Sequence, residues 1–197
     1  KYIEDPANFI FSGKLMTKDE HDLKNSIKPM PDKPYLRYIV DAIHYGPEKS
    51  IFIPKSRQIM MSWIVCAYCL SIAMFQNNGF ILIQSKEAQA AFDLVYNHDD
   101  MLQGRISFMY DYLPDWLKKW NPVSATQGNL IFKKTGSKIR GVAEGRDKVR
   151  SNVPTILFAD EATIQPQFEE AYAAALACCK KIVAVGTANP GFFAEVV

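Results

Sequence analysis

Three short segments of the chain carry side chains suited to handling a phosphate. Lys55-Ser56-Arg57-Gln58-Ile59-Met60-Met61-Ser62 follows the apolar run Ser50-Ile51-Phe52-Ile53 and leads into a long apolar stretch. A phosphate needs backbone N–H groups, a cation and a helix N-terminus pointing at it, and a basic loop between strand and helix supplies these. The usual pattern is G-x-x-x-x-G-K-[ST]. The segment has that length but matches only at Ser62, with Lys55 and Met60 at the glycine positions and Met61 at the lysine position. By itself it also reads as a basic connection that holds no ligand.

The second segment is Thr155-Ile156-Leu157-Phe158-Ala159-Asp160-Glu161, an apolar run delivering two adjacent carboxylates. The first can hold a hydrated Mg²⁺, a hard cation that retains several waters. The second can act as general base on an attacking water. Solvated acids at a strand terminus are the plainer alternative. The third is Val185-Gly186-Thr187-Ala188-Asn189-Pro190. Its hydroxyl and amide groups can sense a terminal phosphate, although by itself the segment reads more plainly as a simple turn before Pro190.

The elements that must position these segments follow from the apolar pattern. Ser50–Ile53, Phe80–Gln84, Thr155–Ala159 and Lys181–Val185 read as buried strands. Helices are expected at Tyr35–Ile43, Met61–Phe75, Glu87–Leu102 and Gln167–Cys179. A short helix near Thr17–Asn25 is expected from a capping box, with Thr17 as cap and Glu20 three residues on. Asn129–Lys133 and Ser137–Val142 read as a strand pair around Lys134-Thr135-Gly136, and residues 104–128 as irregular. Apolar strands alternating with helices predict an α/β fold with a mainly parallel sheet covered on both faces. Ligands bind such sheets at the carboxyl ends of the strands, where all three segments fall.

Length and composition bound the rest. A chain of 197 residues, 48% apolar and 22% charged, is one globular domain. We divide it into an N-terminal extension, 1–33, and the domain proper, 34–197. Lys and Arg number 23 against 21 Asp and Glu, so any nucleic-acid contact must be local. Such a locality exists. Lys133, Lys134, Lys138, Arg140, Arg146, Lys148 and Arg150 face only Glu144 and Asp147 over 133–150, a net +5 that duplex DNA would favour and that a solvated face also explains. The uncharged run contains a 17-residue core, Ile59–Phe75, short of the roughly 20 residues that span a bilayer. Cys66 and Cys69 lie inside that run, where packing is favoured over zinc or redox chemistry, and free thiols in a reducing compartment are expected throughout. The chain opens on Lys1 and reads as a fragment of something longer.

As an ordered set, the three segments resemble the ATPase domain of tailed-bacteriophage terminase large subunits. Ser56-Arg57-Gln58 reproduces the first half of that family's S-R-Q-x-G-K-[ST] Walker A. Lys55 with Ser62 matches its variant in which the lysine opens the loop. Asp160-Glu161-Ala162 matches its Walker B, and Gly186-Thr187-Ala188-Asn189-Pro190 its coupling motif. The resemblance covers about residues 33–191 and implies a RecA-like, additional-strand P-loop fold that hydrolyses ATP with Mg²⁺. It implies that residues 55–62, including Ile59, Met60 and Met61, wrap the nucleotide. Lys55 and Arg57 would contact phosphates, Ser62 and Asp160 would hold the metal, and Glu161 would orient water. Thr187 and Asn189 would couple hydrolysis to movement. It further implies an adenine contact from Tyr35, with Leu36 where the family has Gln, and an arginine finger from Arg150 acting on a neighbour's nucleotide. The implied setting is the host-cell cytoplasm, with double-stranded DNA, a portal protein, a small terminase subunit and a ring of copies as partners. A helicase-like P-loop motor and a non-catalytic nucleotide- or DNA-binding module with a degenerate P-loop are the alternatives.

Overall fold

A computed structural model describes residues 2, 4–19, 22, 24–56, 59–99, 103–187 and 191–196. The organising element is a seven-stranded sheet made of β3 (Ser50–Lys55), β4 (Phe80–Ser85), β5 (Val123–Thr126), β6 (Asn129–Phe132), β7 (Lys138–Ala143), β8 (Ile156–Asp160) and β9 (Lys181–Thr187). Their order across the sheet is β3-β9-β8-β4-β7-β6-β5. The first five pair in parallel, and β6 and β5 are added by antiparallel pairing. β4 and β8 are buried at every position, which is why both read in the sequence as continuous apolar runs rather than alternations.

The helices are α1 (Pro6–Ile10), α2 (Pro34–Tyr45), α3 (Met61–Phe75), α4 (Ala88–Leu94), α5 (Arg105–Asp111), α6 (Asp115–Trp120), α7 (Arg146–Asn152), α8 (Phe168–Cys178) and α9 (Phe192–Val196). α3 is apolar all round because it is enclosed all round. Twelve of its fifteen residues are buried, Cys66 and Cys69 completely. Burial pushes the Cys69 thiol up to about 12 and the Cys66 thiol well above its ordinary range, so both are inert packing groups. No described helix is long and apolar enough to cross a membrane. On the opposite face, Ala171, Ala174 and Ala175 of α8 and Val149 of α7 close over Leu82, Leu157 and Ile182.

Three expectations need correction. The described residues from Thr17 to Asn25 are not helical. β1 (Met16–Lys18) and β2 (Ile27–Pro29) form an antiparallel hairpin. Thr17 is 3% exposed and donates to the Lys28 carbonyl at 3.3 Å, while the Lys28 ammonium lies 2.9 Å from both Asp19 and Asp22. Cross-strand partners outweigh a local cap, and Glu20 lies outside the described residues. The helix expected over Glu87–Leu102 ends at Leu94. Tertiary bonds claim the chain beyond it: Gly128 N–H donates to Tyr96, Gln127 donates to Asn97 Oδ1, and Asn97 donates to Asp93. Residues 104–128 are not irregular, since they hold α5, α6 and β5. α5 starts at Gly104, whose φ of 91° suits glycine, and its Met109 and Phe108 pack into the core. The basic stretch also contains a helix, α7, between β7 and β8, where the sequence pattern assigns no element.

The antiparallel pair around residues 134–136 is as expected, with Leu130 opposite Ile139. The first residues are tied to the domain: Phe9 is fully buried and its ring meets Phe75 of α3 at 5.0 Å.

Candidate phosphate-handling site

The parallel register aligns the ends of β3, β9 and β8. Lys55 sits across from Thr187, and Asp160 across from Val185. α3 starts just beyond β3, so Ser62 in its first turn returns to the same edge. The result is one connected cluster. Lys55 Nζ lies 2.8 Å from Glu161 Oε1 and 3.5 Å from Ser62 Oγ, and Ser62 Oγ donates to Asp160 Oδ1 at 2.7 Å. Residues from widely separated parts of the chain thus meet within hydrogen-bonding reach.

The backbone around the cluster has phosphate-loop character despite the missing glycines. Met60, the residue before α3, is left-handed at φ 60°, ψ 14°, and no side chain caps the helix behind it. Its first-turn N–H groups are therefore left for another acceptor. Glu161 is also left-handed, at φ 52°. Non-glycine residues hold such conformations at a cost of about 1–3 kcal/mol each, a form of strain that gathers at working sites. Gly186 has its own steric reason: a Cβ there would stand 2.7 Å from Thr163 Cγ2.

Burial sets the electrostatics. Asp160 is 7% exposed. Burial raises its carboxyl above the ordinary range, while the Ser62 hydroxyl and the Lys55 and Arg105 charges pull it back down. Asp160→Asn removes a charge that burial makes costly. The variant is expected to be at least as heat-stable as the parent. Thermal unfolding checks this, and a fall of several degrees in Tm would mean that the Ser62 bond outweighs the burial.

The other expected residues divide. Met61 is 3% exposed and packs in the core, so only its N–H is available to a phosphate. Ser56 is exposed, and Ile59 is half-buried against the core. Thr187 closes β9 opposite Lys55. Tyr35, in the first turn of α2, is 47% exposed and open to a ring. Arg150 is exposed on α7, which leads back from the site edge toward the start of β8, and it does not join the cluster. Arg57, Gln58 and Asn189 lie outside the described residues.

Three contributors had no motif to announce them. Arg105, at the start of α5, places its guanidinium 5.7 Å from the Trp63 ring, beside Ser62, and its charge reaches Asp160. Gln84 and Gln165 bond behind Asp160. Their only sequence signal is polarity inside or just after an apolar run. A separate cavity of about 330 Å³ lies beyond Glu161, between Ile164, Phe168 and Phe192, and touches none of Lys55, Ser62 or Asp160.

No protein-family profile and no curated protein sequence matches the chain. Solved structures do. The large terminase of bacteriophage HK97 superimposes with a TM-score of 0.66 at 14% identity, over 94% of this chain and 37% of that one. The large-terminase ATPase domain of Thermus phage P74-26 follows with 0.60 at 16%, over 84% of this chain and 68% of that one. The fold is that of a phage large-terminase ATPase domain. A large terminase from a thermophilic bacteriophage, solved in complex with ADP, gives 0.56 at 13% identity, covering 81% of this chain and 39% of its own. The chain thus covers about two thirds of the P74-26 ATPase domain and well under half of the HK97 protein and of the ADP-bound one. Terminase ATPase domains are RecA-like P-loop folds, which accords with the expected class and with β9 lying between the strands that carry Lys55 and Asp160.

Proposed function

We propose that this chain is the ATPase part of a phage DNA-packaging motor. The observation that supports the reading most is the Lys55–Ser62–Asp160–Glu161 cluster at the carboxyl edge of a terminase-like sheet. Lys55 and Arg57 hold the β- and γ-phosphates, assisted by the N–H groups that open α3. Tyr35 stacks on the base. Ser62 Oγ and Asp160 Oδ1 are neighbouring hard oxygens, the donor set that Mg²⁺ takes together with phosphate oxygens and water. Among the described residues there is no group of three or more His, Cys, Asp or Glu side chains placed to hold a metal without the nucleotide. Ser62 and Asp160 would hold the ion, which would supply neutralisation of the charge developing on the transferring phosphoryl group.

Glu161 accepts a proton from the attacking water, whose oxygen bonds to the γ-phosphorus. The β–γ bridging oxygen leaves with its electron pair on ADP. Thr187 and Asn189 carry the loss of the γ-phosphate into β9. Arg150, away from its own site and exposed, serves a neighbouring copy in a ring. Portal and small terminase subunit are the proposed docking partners, in the host cytoplasm. Binding of Mg²⁺-ATP at micromolar to low-millimolar concentration, with release of phosphate, tests the reading. No binding at millimolar ATP would overturn it.

The DNA partner rests on a surface. Lys138 and Arg140 project on the α7 side of β7, and Arg140 bonds Asn152 of α7 at 2.9 Å, so the cations of both elements form one exposed face. Each phosphate neutralised contributes a salt slope of about −0.9. Lys138→Gln with Lys148→Gln is expected to weaken duplex binding without regard to sequence and to flatten the salt dependence by about two. Binding titrations across salt concentrations check this.

A further inference from the structure

Two amide side chains are buried directly behind the acidic pair. Gln84 is fully buried at the carboxyl end of β4, and Gln165, 5% exposed, follows the short 3-10 turn after Glu161. Gln165 Nε2 donates to the Asp160 carbonyl at 2.7 Å, and Gln84 Nε2 donates to Gln165 Oε1 at 2.7 Å. The chemistry fixes both orientations. A carbonyl only accepts, so Gln165 must present its NH₂ to Asp160. Its oxygen then needs a donor, so Gln84 must present its own NH₂. Gln84 Oε1 is left buried with no partner among the described residues. An unpartnered buried acceptor is destabilising, and a pair of apolar side chains would avoid that cost.

The bond lies where the sheet stops holding the chain. The β4 ladder to β8 ends at Gln84 opposite Ala159. The next carbonyl, that of Asp160, belongs to the peptide that leads into Glu161. Glu161 sits in a left-handed conformation, and the rotation of that peptide sets the direction in which its carboxylate leaves the chain. Lys55 holds the carboxylate from one side, and the Gln165 amide holds the peptide from the other.

We propose that Gln165, itself held by Gln84, is a positioning residue that aims the Glu161 carboxylate at the attacking water. The inference rests on the reading that this chain hydrolyses ATP with Glu161 as base. Gln165→Met keeps length and loses both hydrogen-bonding ends. Gln84→Met with Gln165→Met replaces the whole relay by apolar groups of similar size; it removes the unpartnered Gln84 oxygen along with the bond to the Asp160 carbonyl, and the variant is expected to stay folded.

The measurement is affinity for Mg²⁺-ADP and for Mg²⁺-ADP–aluminium fluoride, a mimic of the phosphoryl group in transit, alongside kcat. Gln165→Met is expected to change ADP affinity by no more than about twofold, while the mimic weakens and kcat falls by about tenfold or more. The double variant should lose no more than Gln165→Met alone, because Gln84 acts through Gln165. Equal weakening of ADP and mimic would show that the glutamines only build the fold, and would overturn the inference while leaving the ATPase reading standing. Losses that multiply in the double variant would overturn the relay. A parent chain that binds neither ligand would instead sink the ATPase reading, and the inference with it.

Discussion

Glu161→Gln is expected to lower kcat by about 10²–10⁴-fold, the usual contribution of a positioned general base, without weakening nucleotide binding. The second half of that expectation comes from the geometry. The Lys55 ammonium is engaged by Glu161 at 2.8 Å, in a slot where the lysine side chain is only 11% exposed. An incoming phosphate must draw Lys55 away from that carboxylate. Gln keeps the shape and removes the charge, so Lys55 becomes more available. The variant should therefore bind ATP as tightly as the parent or more tightly, while turnover collapses. Equilibrium binding and single-turnover hydrolysis measured on the same preparation check both halves. If binding and turnover fell together, Glu161 would be a structural partner of Lys55 rather than the base.

Lys55→Ala is expected to have the larger effect on binding. A charge-assisted hydrogen bond is worth about 1.5–3 kcal/mol, so losing one or two of them from phosphate oxygens weakens ATP roughly 10- to 10³-fold or more. The cost extends beyond the ligand. Asp160 is buried, and Lys55 is one of the charges that holds its carboxyl down. Without the ammonium, only the Ser62 hydroxyl and the Arg105 charge hold the Asp160 carboxyl down against burial and Glu161, and it moves further up. Adding Met61→Lys to Lys55→Ala should not restore binding, although it recreates the usual lysine position of a phosphate loop. Position 61 is 3% exposed and its side chain packs in the core, so a lysine there has no path to the phosphates without disturbing α3. Calorimetric titration of ATP into the three chains decides the point. Rescue by Met61→Lys would mean that the loop can adopt the ordinary arrangement and that Lys55 is dispensable.

The two variants separate functions that the cluster otherwise merges. In the proposed reading Lys55 serves both ends of the chemistry, since it lies near Ser62, assigned to the metal, and against Glu161, assigned to the water. This explains how a loop with methionines in two of its marked positions can keep a working layout. The backbone at Met60 adopts the conformation that a glycine would have favoured, and the cation enters from the strand end of the loop instead of the helix end.

Much of this was legible without coordinates. The runs at Phe80–Gln84 and Thr155–Ala159 are continuous because both faces of those strands are covered, and that burial leaves the same mark in any sequence. The extent of α3, Met61–Phe75, was readable for the same reason: a charge-free stretch bounded by a polar loop and Gln76-Asn77-Asn78-Gly79 has little alternative. Once the strands were placed, the parallel arrangement put Lys55, Asp160 and Thr187 at one edge, since that follows from strand direction alone.

What the tertiary structure decided were the contests between local and distant partners. Thr17 has a cap's chemistry nearby, but the Lys28 carbonyl across the hairpin takes its hydroxyl. The segment after Leu94 favours helix, but Gly128 and Gln127 bond to Tyr96 and Asn97 and draw it out. Gln84 and Gln165 stand 81 positions apart, and Arg105 reaches the site from a region with no motif. Sequence by itself determined which residues could do the chemistry and which strands would carry them, because burial and strand direction are local or additive properties. Only the folded chain decided which side chains answer one another, because a hydrogen bond depends on geometry that residues far apart in the sequence supply together.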